Sequence, residues 1–440
     1  MADERIIRVG TRKSQLALVQ TNSVIQMLRA LDDTLKFETV PMSTVGDRIL
    51  DSALSKIGEK SLFTKELETA LLKNQVDFVV HSLKDLPTNL PEGLVIGCVC
   101  KRDNPYDAVV LHPKHQRKTL KDLPDGSVIG TSSLRRAAQI KRVYPQHKIE
   151  NIRGNLNTRF KKLAENDVYD GIILAVAGLT RMGWEHCIAQ VLTPEECMYA
   201  VSQGAMAVEC RDGDERILSL LNKIHDHTST IECVAERAFL WKLEGGCSVP
   251  VSVFTEVSKD QLSVKGGVFS IDGSEAVEHS INTDLNNPDI KIPDSTMFVG
   301  IHCQIQEKKC EYATAYATGL RLAEEMIGKG ADSILKTAKA MSKEEILAEH
   351  ARKQEEEKEK KMKRKHADDE PLSHMDPVKR YLMAQHHDMS QVLMSGAASI
   401  PLPSSSQHHN LSELQLLGKM GQGPSSQESE ASSSSSSSSL

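Results

Sequence analysis

The chain has 440 residues, of which 39% are hydrophobic and 26% charged, with a formal net charge of −6. This composition fits a soluble globular protein of two to four domains, and the charge provides no global field to attract nucleic acid or an anionic membrane. No apolar run reaches the roughly 20 residues of a membrane span, and the nine cysteines contain no CxxC pair and no zinc-like array.

MADERIIRVG enters a strand at once, with neither an apolar signal region nor an Arg/Ser-rich transit segment. The expected location is therefore the cytoplasm, where the thiols stay reduced. Ser14 is placed to cap a helix whose apolar face includes Ala17, Val24, Leu28 and Leu31. FETVPM is a second strand. SLFTKELETALLKN is a helix with Phe63, Leu67, Ala70 and Leu71 on one stripe, and DFVVHS is a buried strand. GLVIGCVCKRDNPYDAVVL is broken at Lys101–Pro105, a crossing point between domains, and its Cys98 and Cys100 read as small buried hydrophobes. SVIG then TSSLRRAAQIKRV, KIENIRG then NLNTRFKKLAEN, and DGIILAVAGL continue the strand–helix alternation. That alternation predicts α/β domains with parallel or mixed sheets.

From about residue 226 the pattern changes. IECVAERAFLWKL is a helix; VPVSVFTEV, QLSVKGGVFS and MFVGIHCQI are strands; ATGLRLAEEMIGKG is a helix. This reads as an α+β third domain. Residues 342–366 are nearly all charge, and the chain beyond them is rich in Ser, Gln, His and Pro. Such a composition cannot bury enough apolar surface to offset its ordering entropy, so 342–440 is expected to be a disordered tail. Its KKMKRKH cluster reads as a solvated charged helix, with nuclear import or RNA binding as the functional alternative.

Several loops share one design, in which a strand ends and a Gly or Ser precedes basic residues at a helix start. They carry Arg12 and Lys13, then Lys84 and Asp85, then Ser132, Ser133, Arg135 and Arg136, then Arg153 and Arg159. In α/β domains these loops lie at the carboxyl ends of strands, where ligands bind. Helix N-termini and planar guanidinium forks both suit anions. The set predicts a cleft for a polyanion, although there is no GxxxxGK[ST] and no strand-linked GxGxxG. Asp85 is the lone acid of the collection, suited to handling protons and stabilising cations. LEGGCSVPV places Cys247 after two glycines, which allow close approach of a ligand.

Together and in this order, GTRKSQLA, HSLKDLPT, GTSSLRR, IRGNLNTR and EGGCSVPV resemble the porphobilinogen deaminase family over about residues 5 to 340. The resemblance implies two α/β domains like type II periplasmic binding proteins and a smaller α+β C-terminal domain. Domain 1 would comprise 1–102 and 202–225, the chain returning at YAVSQGAMAVECR; domain 2 would be 103–201 and domain 3 would be 226–341. It implies stepwise head-to-tail condensation of four porphobilinogen molecules, with loss of ammonia, to hydroxymethylbilane in tetrapyrrole (heme) biosynthesis. Cys247 would carry a dipyrromethane cofactor through a thioether, and Asp85 would be catalytic. Arg12, Ser14, Lys84, Ser132, Ser133, Arg135, Arg136, Arg153 and Arg159 would bind cofactor and substrate carboxylates, with Arg181 and Gln203 as further contacts. The expected partner is the small-molecule substrate alone, with no metal, nucleic acid or membrane and a monomeric state. The rival reading is a non-catalytic anion-binding module of periplasmic-binding-protein type.

Overall fold

In the computed structural model, which describes residues 6–48, 63–115, 117–165, 167–243, 249–303 and 305–341, the first apolar run forms β1 (Ile7–Arg12). Ser14 caps α1 (Gln15–Leu31), accepting the Ala17 amide at 3.4 Å. Ala17, Val24 and Leu28 are buried, whereas Leu31, the last residue of the helix, is exposed. β2 (Phe37–Met42), α2 (Val45–Arg48), α3 (Lys65–Leu72), β3 (Phe78–Ser82) and β4 (Leu94–Val99) complete this series. The next comprises β5 (Asp107–Leu111), β6 (Val128–Gly130), α4 (Leu134–Val143), β7 (Lys148–Glu150), α5 (Leu156–Glu165), β8 (Gly171–Ala175), α6 (Val176–Arg181), β9 (Gln190–Val191) and α7 (Pro194–Cys197). β10 (Met206–Arg211) and α8 (Glu215–Asn222) follow. The remainder is α9 (His227–Lys242), β11 (Val251–Ser258), β12 (Gln261–Phe269), β13 (Ala276–Asp284), β14 (Met297–Phe298), β15 (Ile301–His302), α10 (Lys309–Gly328) and a helix over 331–341.

The two α/β sheets share one plan. The first runs β2-β1-β3-β10-β4, extended by β15 and β14; the second runs β7-β6-β8-β5-β9. In each, three parallel strands are followed by one antiparallel strand, β10 or β5, and then a strand parallel to the first three. Each antiparallel strand is delivered by a chain segment that crosses from the other sheet, 100–106 into β5 and 198–205 into β10. An antiparallel strand begins where its parallel neighbours end, so both crossings lie at the edge that carries the basic loops. In register, Asp107 faces Ala175 at the end of β8, and Met206 faces Ser82 at the end of β3. The crossings touch: a Cβ on Gly204, whose φ is +89°, would lie 2.5 Å from the Asp103 carbonyl oxygen.

The third sheet is an antiparallel meander, β11-β12-β13, covered by α9 and α10. The helices cross backbone to backbone at Gly319, where a Cβ would stand 2.1 Å from the Ala235 carbonyl oxygen. Its core is continuous with the first sheet: Leu83, Leu86, Ile96 and Val99 share one buried cluster with Phe239, Val253, Val264 and Leu322. MFVGIHCQI, expected as a strand of the third domain, forms the β14–β15 hairpin instead. It pairs with β4 through Ile301 and Ile96 in the first sheet, because the left-handed Val299–Gly300 turn folds the run on itself. β13 was not legible in sequence, since only Ile281 and Thr283 among its residues are buried. The expected tail, 342–440, lies outside the described residues.

Candidate active site

The site grows from the turn after β3. Leu83, Lys84 and Asp85 form a single 3-10 turn. The Leu83 amide donates to the Ala205 carbonyl at 3.0 Å, and the Leu86 amide closes the turn on the Leu83 carbonyl at 3.1 Å. Leu83 and Leu86 point into the shared core, which leaves Asp85 exposed and Lys84 half-buried. Lys84 Nζ donates to Gln203 Oε1 at 3.2 Å. Burial brings the Lys84 ammonium down to about 8 against the opposing pull of Asp85.

Gln203 carries the contact across the crossing. Its Nε2 donates to the Pro105 carbonyl and to Asp107 Oδ1, both at 2.8 Å. Asp107, fully buried at the start of β5, also receives Arg136 Nε and Nη2 at 3.1 and 2.6 Å and Arg135 Nη1 at 2.7 Å. The two guanidiniums, 5% and 6% exposed, spend further donors on the Met198 and Ile173 carbonyls, each at 2.8 Å. Burial would raise the Asp107 carboxyl, but Arg135 and Arg136 outweigh it and hold the group well below the usual carboxylate range. One buried carboxylate thus faces two buried guanidiniums, leaving a net positive charge.

The structure therefore joins Lys84, Gln203, Arg135 and Arg136 in one polar network, with Asp107 as the hub that the sequence reading missed. Its only sequence signal is an acid heading a strand just past the Lys101–Pro105 break. Ser133 caps α4 through the Arg136 amide, and Ser132 Oγ donates to the Ile152 carbonyl at 2.7 Å, tying this loop to the next. There, Arg159 Nε donates to the Gly154 carbonyl at 2.9 Å; burial and then Arg136 push its guanidinium down to about 10. The Arg153 carbonyl accepts from Lys162 Nζ at 3.1 Å. Arg12 lies over the Phe63 ring, 4.2 Å from its centroid. Asn157 Nδ2 donates to Gln15 Oε1 at 2.8 Å, so the Arg12–Ser14 loop of one half meets the Arg153–Arg159 loop of the other. Arg181 stands apart, bound to Asp103 Oδ2 at 2.8 Å and to the Gly204 carbonyl on the crossings. Cys247 lies outside the described residues.

Two family models match the chain: porphobilinogen deaminase, "dipyromethane cofactor binding domain", over residues 7–219, and porphobilinogen deaminase, C-terminal domain, over residues 230–293. Porphobilinogen deaminase of Nostoc sp. is 44% identical over 333 residues, covering 76% of this chain and 94% of that protein. Porphobilinogen deaminase of Desulforamulus reducens is 49% identical over 298 residues, covering 67% and 95%. The chain belongs to the porphobilinogen deaminase family. Among solved structures, the periplasmic VFT2 domain of Bordetella pertussis BvgS matches with a TM-score of 0.32 at 16% identity, covering 51% of this chain and 88% of that one.

The first family model is the cofactor-binding domain, and the described residues fit such a group. Dipyrromethane built from porphobilinogen carries acetate and propionate side chains. The excess positive charge of Arg135 and Arg136 over Asp107, together with the neighbouring cation of Arg159, is what a buried polycarboxylate requires. Among the described residues no His/Cys/Asp/Glu cluster is arranged to hold a metal, and no helix is long and apolar enough to cross a membrane.

Proposed function

We propose that this chain is an active hydroxymethylbilane synthase, a transferase that joins four porphobilinogen molecules head to tail on a dipyrromethane held by a thioether to Cys247. The observation that supports this reading is the pairing of an exposed acid, Asp85, with a buried cationic cluster at the same strand ends. Arg12, Ser14, Ser132, Ser133, Arg135, Arg136, Arg153 and Arg159 would receive carboxylates of cofactor and substrate, with Lys84, Gln203 and Arg181 at the crossing between the halves. When bound, the dipyrromethane supplies the free pyrrole carbon to which the first substrate is joined.

Asp85 then has two tasks. As the aminomethyl C–N bond of porphobilinogen breaks and ammonia leaves with the electron pair, positive charge spreads over the substrate ring. A carboxylate accepting its pyrrole N–H stabilises that charge, and more strongly in a cleft that excludes water. After the carbon–carbon bond forms, one ring proton must depart, and the same carboxylate is placed to take it. Mass balances as one ammonia lost per pyrrole added.

We further propose the domain limits 1–102 with 202–225, 103–201 and 226–341, the last lending its β14–β15 hairpin to the first sheet, a monomer, and a cytoplasmic site of action. Removing residues after about 345 should leave turnover within about twofold of the full chain, because that composition offers too little apolar surface to offset its ordering entropy; assay of the truncated protein checks this. The decisive experiment is intact mass spectrometry with peptide mapping around Cys247, alongside an assay of ammonia release. An adduct of two condensed pyrrole units at Cys247 is expected. A Cys247 that stays unmodified after incubation with porphobilinogen, with ligand bound reversibly and no ammonia released, would instead establish a non-catalytic anion-binding module.

A further inference from the structure

Arg237 on α9 is only 1% exposed, yet every hydrogen bond of its guanidinium goes to a main-chain carbonyl. Nη1 donates to Leu86 at 3.2 Å and Nη2 to Pro87 at 2.6 Å. Nε and Nη2 both reach the Val299 carbonyl, at 2.9 and 2.8 Å. Among the described residues no carboxylate pairs with it, and burial brings it down to about 10. A buried cation without a counter-ion is costly, and such cost concentrates where the surrounding structure uses it. Its third acceptor adds to the cost: Val299 holds a φ of +47°, a left-handed conformation that a β-branched residue rarely adopts.

We propose that Arg237 is the positioning residue for Asp85. Leu86 and Pro87 follow Asp85 directly, so the guanidinium fork fixes the exit of the turn while the Leu83 amide on Ala205 fixes its entrance. Among the described residues no hydrogen bond holds the Asp85 carboxylate itself, so its aim is set through the backbone and the side chain stays free for substrate. A neutral or acidic clamp would not serve. A carboxylate would repel Asp85 and the carbonyls alike, and an amide lacks the donors to bridge three of them.

This inference rests on Asp85 being the catalytic acid, and the test separates the two. Turnover per cofactor-loaded molecule, KM and melting temperature would be measured for Arg237→Gln, Arg237→Lys, Asp85→Asn and the double variant Arg237→Lys/Asp85→Asn, with loading read by intact mass. Arg237→Lys keeps the charge and loses the fork, which favours folding. It should lower kcat about 10-fold or more, and Arg237→Gln up to about 100-fold, with KM within about threefold and loading unchanged. In the Asp85→Asn background the Arg237→Lys change should cost nothing further, because both act through one group. An unchanged kcat for Arg237→Lys beside a crippled Asp85→Asn overturns the role of Arg237 alone, as does an equal, multiplicative loss in the double variant. Near-normal turnover of Asp85→Asn overturns the reading of Asp85, and the positioning role falls with it.

Discussion

The turn after β3 and the turn after β6 both stand at the strand-end edge where the chain crosses between the sheets, and they are held in opposite ways. The first is pinned through its main chain, by the Ala205 carbonyl and by Arg237 on the Leu86 and Pro87 carbonyls, and its acid, Asp85, is left exposed. The second is pinned through its side chains: Arg135 and Arg136 fold onto the buried Asp107, and the acid is spent on structure. Asp107, inside the network that Gln203 joins to Lys84, and Asp85, beside it, therefore have different chemistry available to them. A carboxylate saturated by guanidiniums holds geometry and tunes charge; one held only by its backbone can meet a substrate.

The sharpest way to break this contrast is Asp107→Ala. It strands two buried guanidiniums and should cost about 3–5 kcal/mol of stability, read by denaturant unfolding; a loss below about 1 kcal/mol would show that Asp107 is not the structural acid. Asp85→Asn should do the converse, leaving the unfolding midpoint in place while turnover falls about 100-fold or more. A shifted midpoint with normal turnover would reverse the assignment of the two acids.

Lys84 tests the link between them. Its folded value of about 8 lies below the roughly 10.4 of an exposed lysine. Between those values the unfolded chain holds a proton that the folded one has released, so this group's contribution to stability rises with pH across that window. Carboxylate binding that needs the cation fades over the same range. KM is expected to rise several-fold as pH passes about 8, and Lys84→Arg, permanently charged, should flatten the rise; identical profiles would remove Lys84 from the anion site. The smallest effect belongs to Ser14→Ala, which removes the cap of α1 and should cost about 1 kcal/mol, measurable as a small shift of the melting temperature with KM little changed.

Much of this was legible in the chain. The Ser14 cap, the strand–helix alternation, the burial of Cys98 and Cys100 and the gathering of basic loops at strand ends all rest on local rules: a side-chain oxygen for a free amide, a period of apolar residues, a positive helix end for an anion. The third domain was less so. β13 has little apolar alternation to reveal it, and MFVGIHCQI looks like one strand until the Val299 turn folds it onto the first sheet.

By itself, then, the sequence determined the fold class, the element types of the two α/β halves and which residue types gather at the strand ends, because those follow from neighbours along the chain. Only the tertiary structure decided which charges meet. Asp107 lies 28 and 29 residues from its arginines, and Arg237 lies 151, 150 and 62 residues from the Leu86, Pro87 and Val299 carbonyls it binds. Such pairings depend on how the two crossings and α9 pack, and on the high energy of a buried charge, which makes each guanidinium take whatever acceptors that packing brings within reach.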